Sequence, residues 1–221
     1  MYSLPFINKK TMKKILEICC DTMQSVMNSK KAGAQRIELC TALSTGGVTP
    51  TMSFVKEAVK ESAIPINVLL RPRAGSFVYT ESEFNIMCKD IEELKKAGAA
   101  GIVSGALLAD GRIDKEKTLK MIELSQPLGF TFHRGIDFCT DIDDAMEFLC
   151  NNGAERVLTS GGAAKINGGI DKIIEMHIKY GDKICIMPGG GLNLENASIL
   201  NNAGISEFHF SASEFVVENL K

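Results

Sequence analysis

The chain has 221 residues, 45% hydrophobic and 24% charged, with 25 Lys and Arg against 27 Asp and Glu for a net charge of −2. That length makes one large domain or two small ones and buries enough surface to need no disulfide staples. The near-neutral balance gives no support for a nucleic-acid or anionic-membrane partner, and no apolar stretch reaches the ~18–20 residues of a membrane span. The segment from Met1 carries Lys9, Lys10, Lys13 and Lys14 but no apolar block of signal-peptide length, which predicts a cytoplasmic protein. Seven cysteines without CxxC spacing read as free thiols of a reducing compartment.

Residues 1–14 read as an N-terminal extension and 15–221 as one barrel domain. Along the chain, one pattern recurs four times: the end of a helical stretch, a glycine, a short linker, then an apolar run. It is centred on Gly33, Gly98, Gly153 and Gly204, spaced 51 to 65 residues apart. The glycine stops the helix in a left-handed conformation, and the run after it is a strand. The spacing is too long for one βα unit of roughly 30 residues and suits two. Four more strands are predicted between the repeats, over Ile15–Cys19, Ile66–Leu70, Phe130–His133 and Ile184–Met187. Eight strand–helix units without a composition break predict a single-domain α/β fold, a TIM-type (β/α)8 barrel; an open doubly wound sheet is the alternative.

Strand side chains alternate between faces. In Leu16-Glu17-Ile18-Cys19 the apolar pair faces the helices, leaving Glu17 and Cys19 inside. The same reading places Arg36, Glu38, Cys40, Arg71, Thr131, His133, Cys185, Met187, Glu207 and His209 inside, a polar interior unlike the usual Val, Ile and Leu layers. Arg36, Arg156 and Glu207 open their strands and read as a salt-bridged plug at the bottom. Cys19, Cys40, Arg71, Arg73, His133 and His209 close or follow their strands, at the end where barrel enzymes keep their chemistry. Glu17 and Glu38 lie one layer deeper.

Several groupings at the mouth carry chemistry. Cys19 and Cys40 end consecutive strands and can share a soft ion such as Cu(I), with Met187 as a further sulfur. They also read as small buried apolar residues, and neighbouring barrel strands ordinarily place inward residues in different layers. Arg71-Pro72-Arg73 follows strand three, where two guanidiniums hold a carboxylate or phosphate or pair with Glu17 and Glu38. His133, with Asp137 or Glu38 nearby, offers acid–base chemistry near neutrality. Gly189, Gly190 and Gly191, ahead of a helix capped by Asn193, form an expected anion nest to which Ser160-Gly161-Gly162 adds. His177 reads as peripheral. No Walker loop, nucleophile elbow, HExxH or dinucleotide GxGxxG is present, so no nucleotide cofactor is expected.

Taken together, Leu16-Glu-Ile-Cys19, Arg36-Ile-Glu-Leu-Cys40, Gly46-Gly-Val-Thr-Pro50, Arg71-Pro-Arg73, Asp110-Gly-Arg-Ile-Asp114, Thr131-Phe-His-Arg134, Arg156-Val-Leu-Thr-Ser-Gly161, Met187-Pro-Gly-Gly-Gly191 and Glu207-Phe-His209 resemble the CutC family of copper homeostasis proteins in collinear order. The resemblance implies a TIM barrel, a cytoplasmic home, self-association as a dimer or tetramer, and a Cu(I) site at Cys19 and Cys40. Ala74, Gly135-Ile136, Ser213 and the additional thiol Cys20 depart from the family pattern. Two functions therefore stand side by side. One is a copper homeostasis protein binding Cu(I) at the strand-end cysteines. The other is a barrel enzyme (a lyase, isomerase or hydrolase) acting on a small anionic or phosphorylated metabolite, with His133 and Asp137 or Glu38 moving protons and Arg71 and Arg73 as the clamp.

Overall fold

A computed structural model describes residues 14–211. All but the last residue of the expected extension, and Ser213, lie outside the described residues. Eight short strands alternate with helices: β1 (Ile15–Cys20), α1 (Met23–Lys31), β2 (Arg36–Leu39), α2 (Met52–Ser62), β3 (Ile66–Leu69), α3 (Glu81–Lys96), β4 (Gly101–Ser104), α4 (Lys115–Ser125), β5 (Gly129–Phe132), α5 (Ile142–Asn151), β6 (Arg156–Thr159), α6 (Ile170–Tyr180), β7 (Cys185–Pro188), α7 (Leu194–Asn202) and β8 (Glu207–Phe210). Short 3₁₀ turns at Leu43–Thr45, Arg134–Phe138 and Ile166–Gly168 interrupt the loops after β2, β5 and β6.

The helices start where side chains satisfy their first amides. Thr22 and Thr80 accept from Ser25 N and Glu83 N in capping boxes, and Asp114, Asp141 and Asn193 cap α4, α5 and α7. The four repeated glycines each sit one residue beyond a helix cap, with φ between +80° and +101°. They end α1, α3, α5 and α7. The intervening helices stop by other means, α2 at a left-handed Ala63 and α4 ahead of Pro127. This is why the visible sequence repeat spans two βα units.

All paired strands run parallel, in the order β7-β6-β5-β4-β3-β2-β1-β8, and β7 lies against β8 to bring the ends of the sheet together. The result is the predicted single-domain barrel. Its main core lies between strands and helices, where Ile37, Leu39, Val68, Ile102 and Phe130 meet Val26, Val55, Ile91, Leu94 and Met121. Each such side chain contributes about 1.5–3 kcal/mol on burial. A second, small cluster of Cys19, Cys40, Leu69 and Val103 sits inside the barrel. The staggered register places Glu17 opposite both Arg36 and His209, and Cys19 opposite Glu38.

Candidate functional site

The barrel floor is an ion-pair network. Arg36 contacts Glu17 through Nε and donates to Glu207 at 2.6 Å, and Arg156 donates to the same Glu207 carboxylate at 3.1 Å. Asn67 Nδ2 lies 3.5 Å from Glu17. The expected plug of Arg36, Arg156 and Glu207 is thus present, and Glu17 belongs to it. Met187 does not sit at the mouth: its sulfur accepts from Arg36 Nη2 at 3.2 Å, down in the plug, because the inward face of β7 meets the floor first.

Above the floor, Cys19 Sγ lies 3.6 Å from Cys40 Sγ and 3.7 Å from Glu38 Oε1. The layer offset expected of adjacent strands does not keep the thiols apart. Cys40 is the residue just beyond β2, and it sits two positions past the partner of Cys19, so the stagger brings the sulfurs level. One ligand atom each from Cys19, Glu38 and His209 falls within a 4.8 Å group, and all three residues are buried. Cys20 points the other way, toward α1, with its sulfur 3.2 Å from Ser29 Oγ.

The electrostatics of this cluster are set by mutual contact. The hydrogen bond from Cys40, then burial and the Glu38 charge, hold the Cys19 thiol well above its ordinary value. Burial and the Glu17 charge raise Glu38 against the pull of His209, and Glu38 Oε2 is buried without a partner. Burial alone would lower His209, but the Glu38 charge and the bond to Glu17 outweigh it and raise the imidazole. Burial alone would likewise raise Glu17, yet His209 and Arg36 draw it down to about 2.

A cavity of about 200 Å³ opens over the cluster, bounded on its far side by Leu43, Arg71, Phe77, His133 and Gly190. Arg71 is buried and donates to the carbonyls of Thr45, Gly47 and Gly75; it pairs with neither Glu17 nor Glu38. Arg73 turns away and pairs with Glu83 at the start of α3, so of the two arginines expected at the mouth Arg71 alone borders the cavity. Glu83 captures it because the capping box holds that carboxylate beside Thr80.

His133 follows β5 and caps the 3₁₀ turn after it, its Nδ1 accepting from Gly135 N at 3.1 Å. Burial, reinforced by the Arg71 charge, pushes this imidazole down to about 3. Asp137 is not its hydrogen-bonding partner. The Asp137 carboxylate accepts from Thr159 Oγ1, Ser160 N and Gly162 N and pairs with Arg134 at 2.9 Å. The expected anion nest at Ser160–Gly162 is therefore filled by the protein's own carboxylate. Of the three loop glycines after β7, Gly190 alone borders the cavity, while the Gly189 amide is spent on Thr159 O.

Of the two strand-end histidines, His133 lies across the cavity and His209 is the imidazole that joins the thiols. The alternation Glu207-Phe208-His209 is the signal for it. Phe77 and Arg134 also border the cavity although neither stands on a strand; Phe77 lies in the loop after β3 and Arg134 directly follows His133.

A parallel (β/α)8 barrel that groups thiols, a carboxylate and an imidazole toward the C-terminal ends of its strands is a TIM barrel with side chains of metal-ligating types at its mouth. A sequence model of the CutC family matches residues 14–214. The chain is 43% identical over 201 residues to a family protein CutC of Pasteurella multocida, covering 90% of this chain and 82% of that one. It is 43% identical over 199 residues to the human copper homeostasis protein cutC homolog, covering 90% and 73% of the two chains. The crystal structure of CutC from Streptococcus agalactiae superposes with a TM-score of 0.83 at 30% identity, covering 89% of this chain and 97% of that one. The chain belongs to the CutC family.

Proposed function

We propose that the protein serves copper homeostasis by binding Cu(I) at the barrel mouth through Cys19 and Cys40, within a reducing, cytoplasmic compartment. The observation that carries this reading is the 3.6 Å contact between the two sulfurs inside the barrel. Thiolates are the ligands that soft monovalent copper prefers. Binding would release both thiol protons. Glu38, with a free buried oxygen beside Cys19, is placed to take one of them. His209, whose pKa the Glu38 charge and the bond to Glu17 raise, lies beside the resulting bis-thiolate site and favours its negative charge. The relatives named for copper homeostasis support the same reading.

Competition against a Cu(I) chelator under reducing conditions tests it. Cys19→Ser and Cys40→Ser should each lose tight Cu(I) retention, whereas Cys88→Ser and Cys150→Ser, on α3 and α5, should keep it. Equal retention in all four variants, or preference for Zn(II) over Cu(I), overturns the two-thiol site.

A further inference from the structure

A two-thiol metal site does not account for the far wall of the cavity. Arg71 is 6% exposed and forms no ion pair among the described residues. Its Nη atoms are held by neutral carbonyls of Thr45, Gly47 and Gly75, which orient the guanidinium but leave its charge uncompensated. A buried cation without a counter-charge is costly unless something supplies one.

Beside it stands a second unmet group. Because Gly135 N donates to His133 Nδ1, the neutral ring carries its proton on Nε2. That Nε2 is buried and has no partner. Phe77 brings the two donors to one wall: the His133 ring lies 4.4 Å from its centroid and the Arg71 guanidinium 5.0 Å. Leu43, Leu69 and Leu158 add aliphatic surface, while Cys19, Glu38, Cys40 and His209 line the side toward the thiols. The other cation on the rim, Arg134, is already paired with Asp137.

We propose that this cavity is a binding site for a small organic monocarboxylate, with its carboxylate against Arg71 and His133 Nε2 and its short carbon chain among Leu69, Leu158 and Phe77. One uncompensated guanidinium matches one negative charge, and the Glu38 carboxylate across the cavity disfavours a dianion such as phosphate. The volume is below the ~300–1,000 Å³ of sites for drug-sized ligands, so the occupant has only a few carbon atoms. Neither donor is a thiol, so the proposal does not require copper at Cys19 and Cys40, which line the same cavity.

The test uses metal-free protein with reductant and chelator present, so that its result does not depend on whether the thiols take copper. Butyrate, butyramide and inorganic phosphate are titrated by calorimetry and by ligand-observed NMR. Butyrate should bind saturably, and its neutral isostere butyramide about tenfold or more weaker, the weight of one charge-assisted hydrogen bond. His133→Phe, which keeps a ring against Phe77 but removes the donor, should weaken butyrate by a similar factor while circular dichroism reports a native fold. If that variant does not fold, the butyrate–butyramide comparison on the unaltered protein decides alone. No saturable butyrate binding up to millimolar concentration, equal binding of butyramide, or tighter binding of phosphate overturns the proposal.

Discussion

His209 Nδ1 lies 2.8 Å from Glu17 Oε1, and this contact joins the ion-paired floor of the barrel to the thiol cluster at its mouth. Glu17 is also the carboxylate that Arg36 clasps from below. A single buried side chain therefore takes part both in the plug and, with Glu38, in raising the imidazole beside Cys19.

Removing that carboxylate should be expensive. Glu17→Ala leaves Arg36 with Glu207 alone and strips His209 of its partner, a loss expected to cost about 3–5 kcal/mol of stability. Glu17→Gln retains part of the hydrogen bonding and should cost less. Urea unfolding followed by circular dichroism measures both; a loss below that of Gln in the alanine variant contradicts the assigned role.

Acid should destabilise the fold in two separable steps. His133 sits at about 3 when folded and near 6.5 when unfolded, so the unfolded chain takes up the proton first. Stability from this group is complete above 6.5 and falls with decreasing pH toward 3, by up to ~1.4 kcal/mol per pH unit. Glu17, at about 2 against an ordinary 4.5, adds stability that is present above 4.5 and lost as pH falls through 2. His209 runs in the opposite sense: its raised value means stability held at low pH and lost as pH rises through that value. Unfolding free energies of wild type and His133→Phe should diverge in slope just below pH 6.5. Parallel curves would show that His133 is not buried neutral.

Thiol reactivity should follow burial. The raised Cys19 thiol and the half-buried Cys139 and Cys185, both pushed up to about 12 mainly by burial, should label slowly with iodoacetamide at neutral pH. In urea all seven cysteines should react. Mass spectrometry of the labelled peptides reads this, and rapid labelling of Cys19 in the native protein would contradict the closed thiol pair.

Gly47 is a glycine whose replacement should reach the thiol pair. Its φ is +83°, and an added Cβ would stand 2.8 Å from Leu69 Cδ2 and 3.4 Å from Cys40 Cβ. Gly47→Ala is expected to cost about 1–2 kcal/mol for the left-handed backbone, plus displacement of Leu69, and to weaken Cu(I) retention. Gly33→Ala, at φ +80° with nothing within 4 Å, carries the backbone cost alone and should leave retention unchanged. Thermal unfolding and chelator competition on the pair separate the two effects.

The barrel and its polar interior were readable from the chain because they depend on local rules. Helix-ending glycines, short apolar runs and two-residue alternation follow from backbone sterics, and they were sufficient to place Glu17, Glu38, Cys19 and His209 on the inner face. Partner choice was not readable. Whether Asp137 faces His133 or the amides of Ser160 and Gly162, whether Arg73 reaches the mouth or Glu83, and how deep Met187 lies depend on strand stagger and on which loop arrives beside which. Cys19 and Cys40 show the division most plainly. Alternation along each strand turned both inward, but the shear between β1 and β2, a property of the closed sheet and of no single segment, brought their sulfurs into contact.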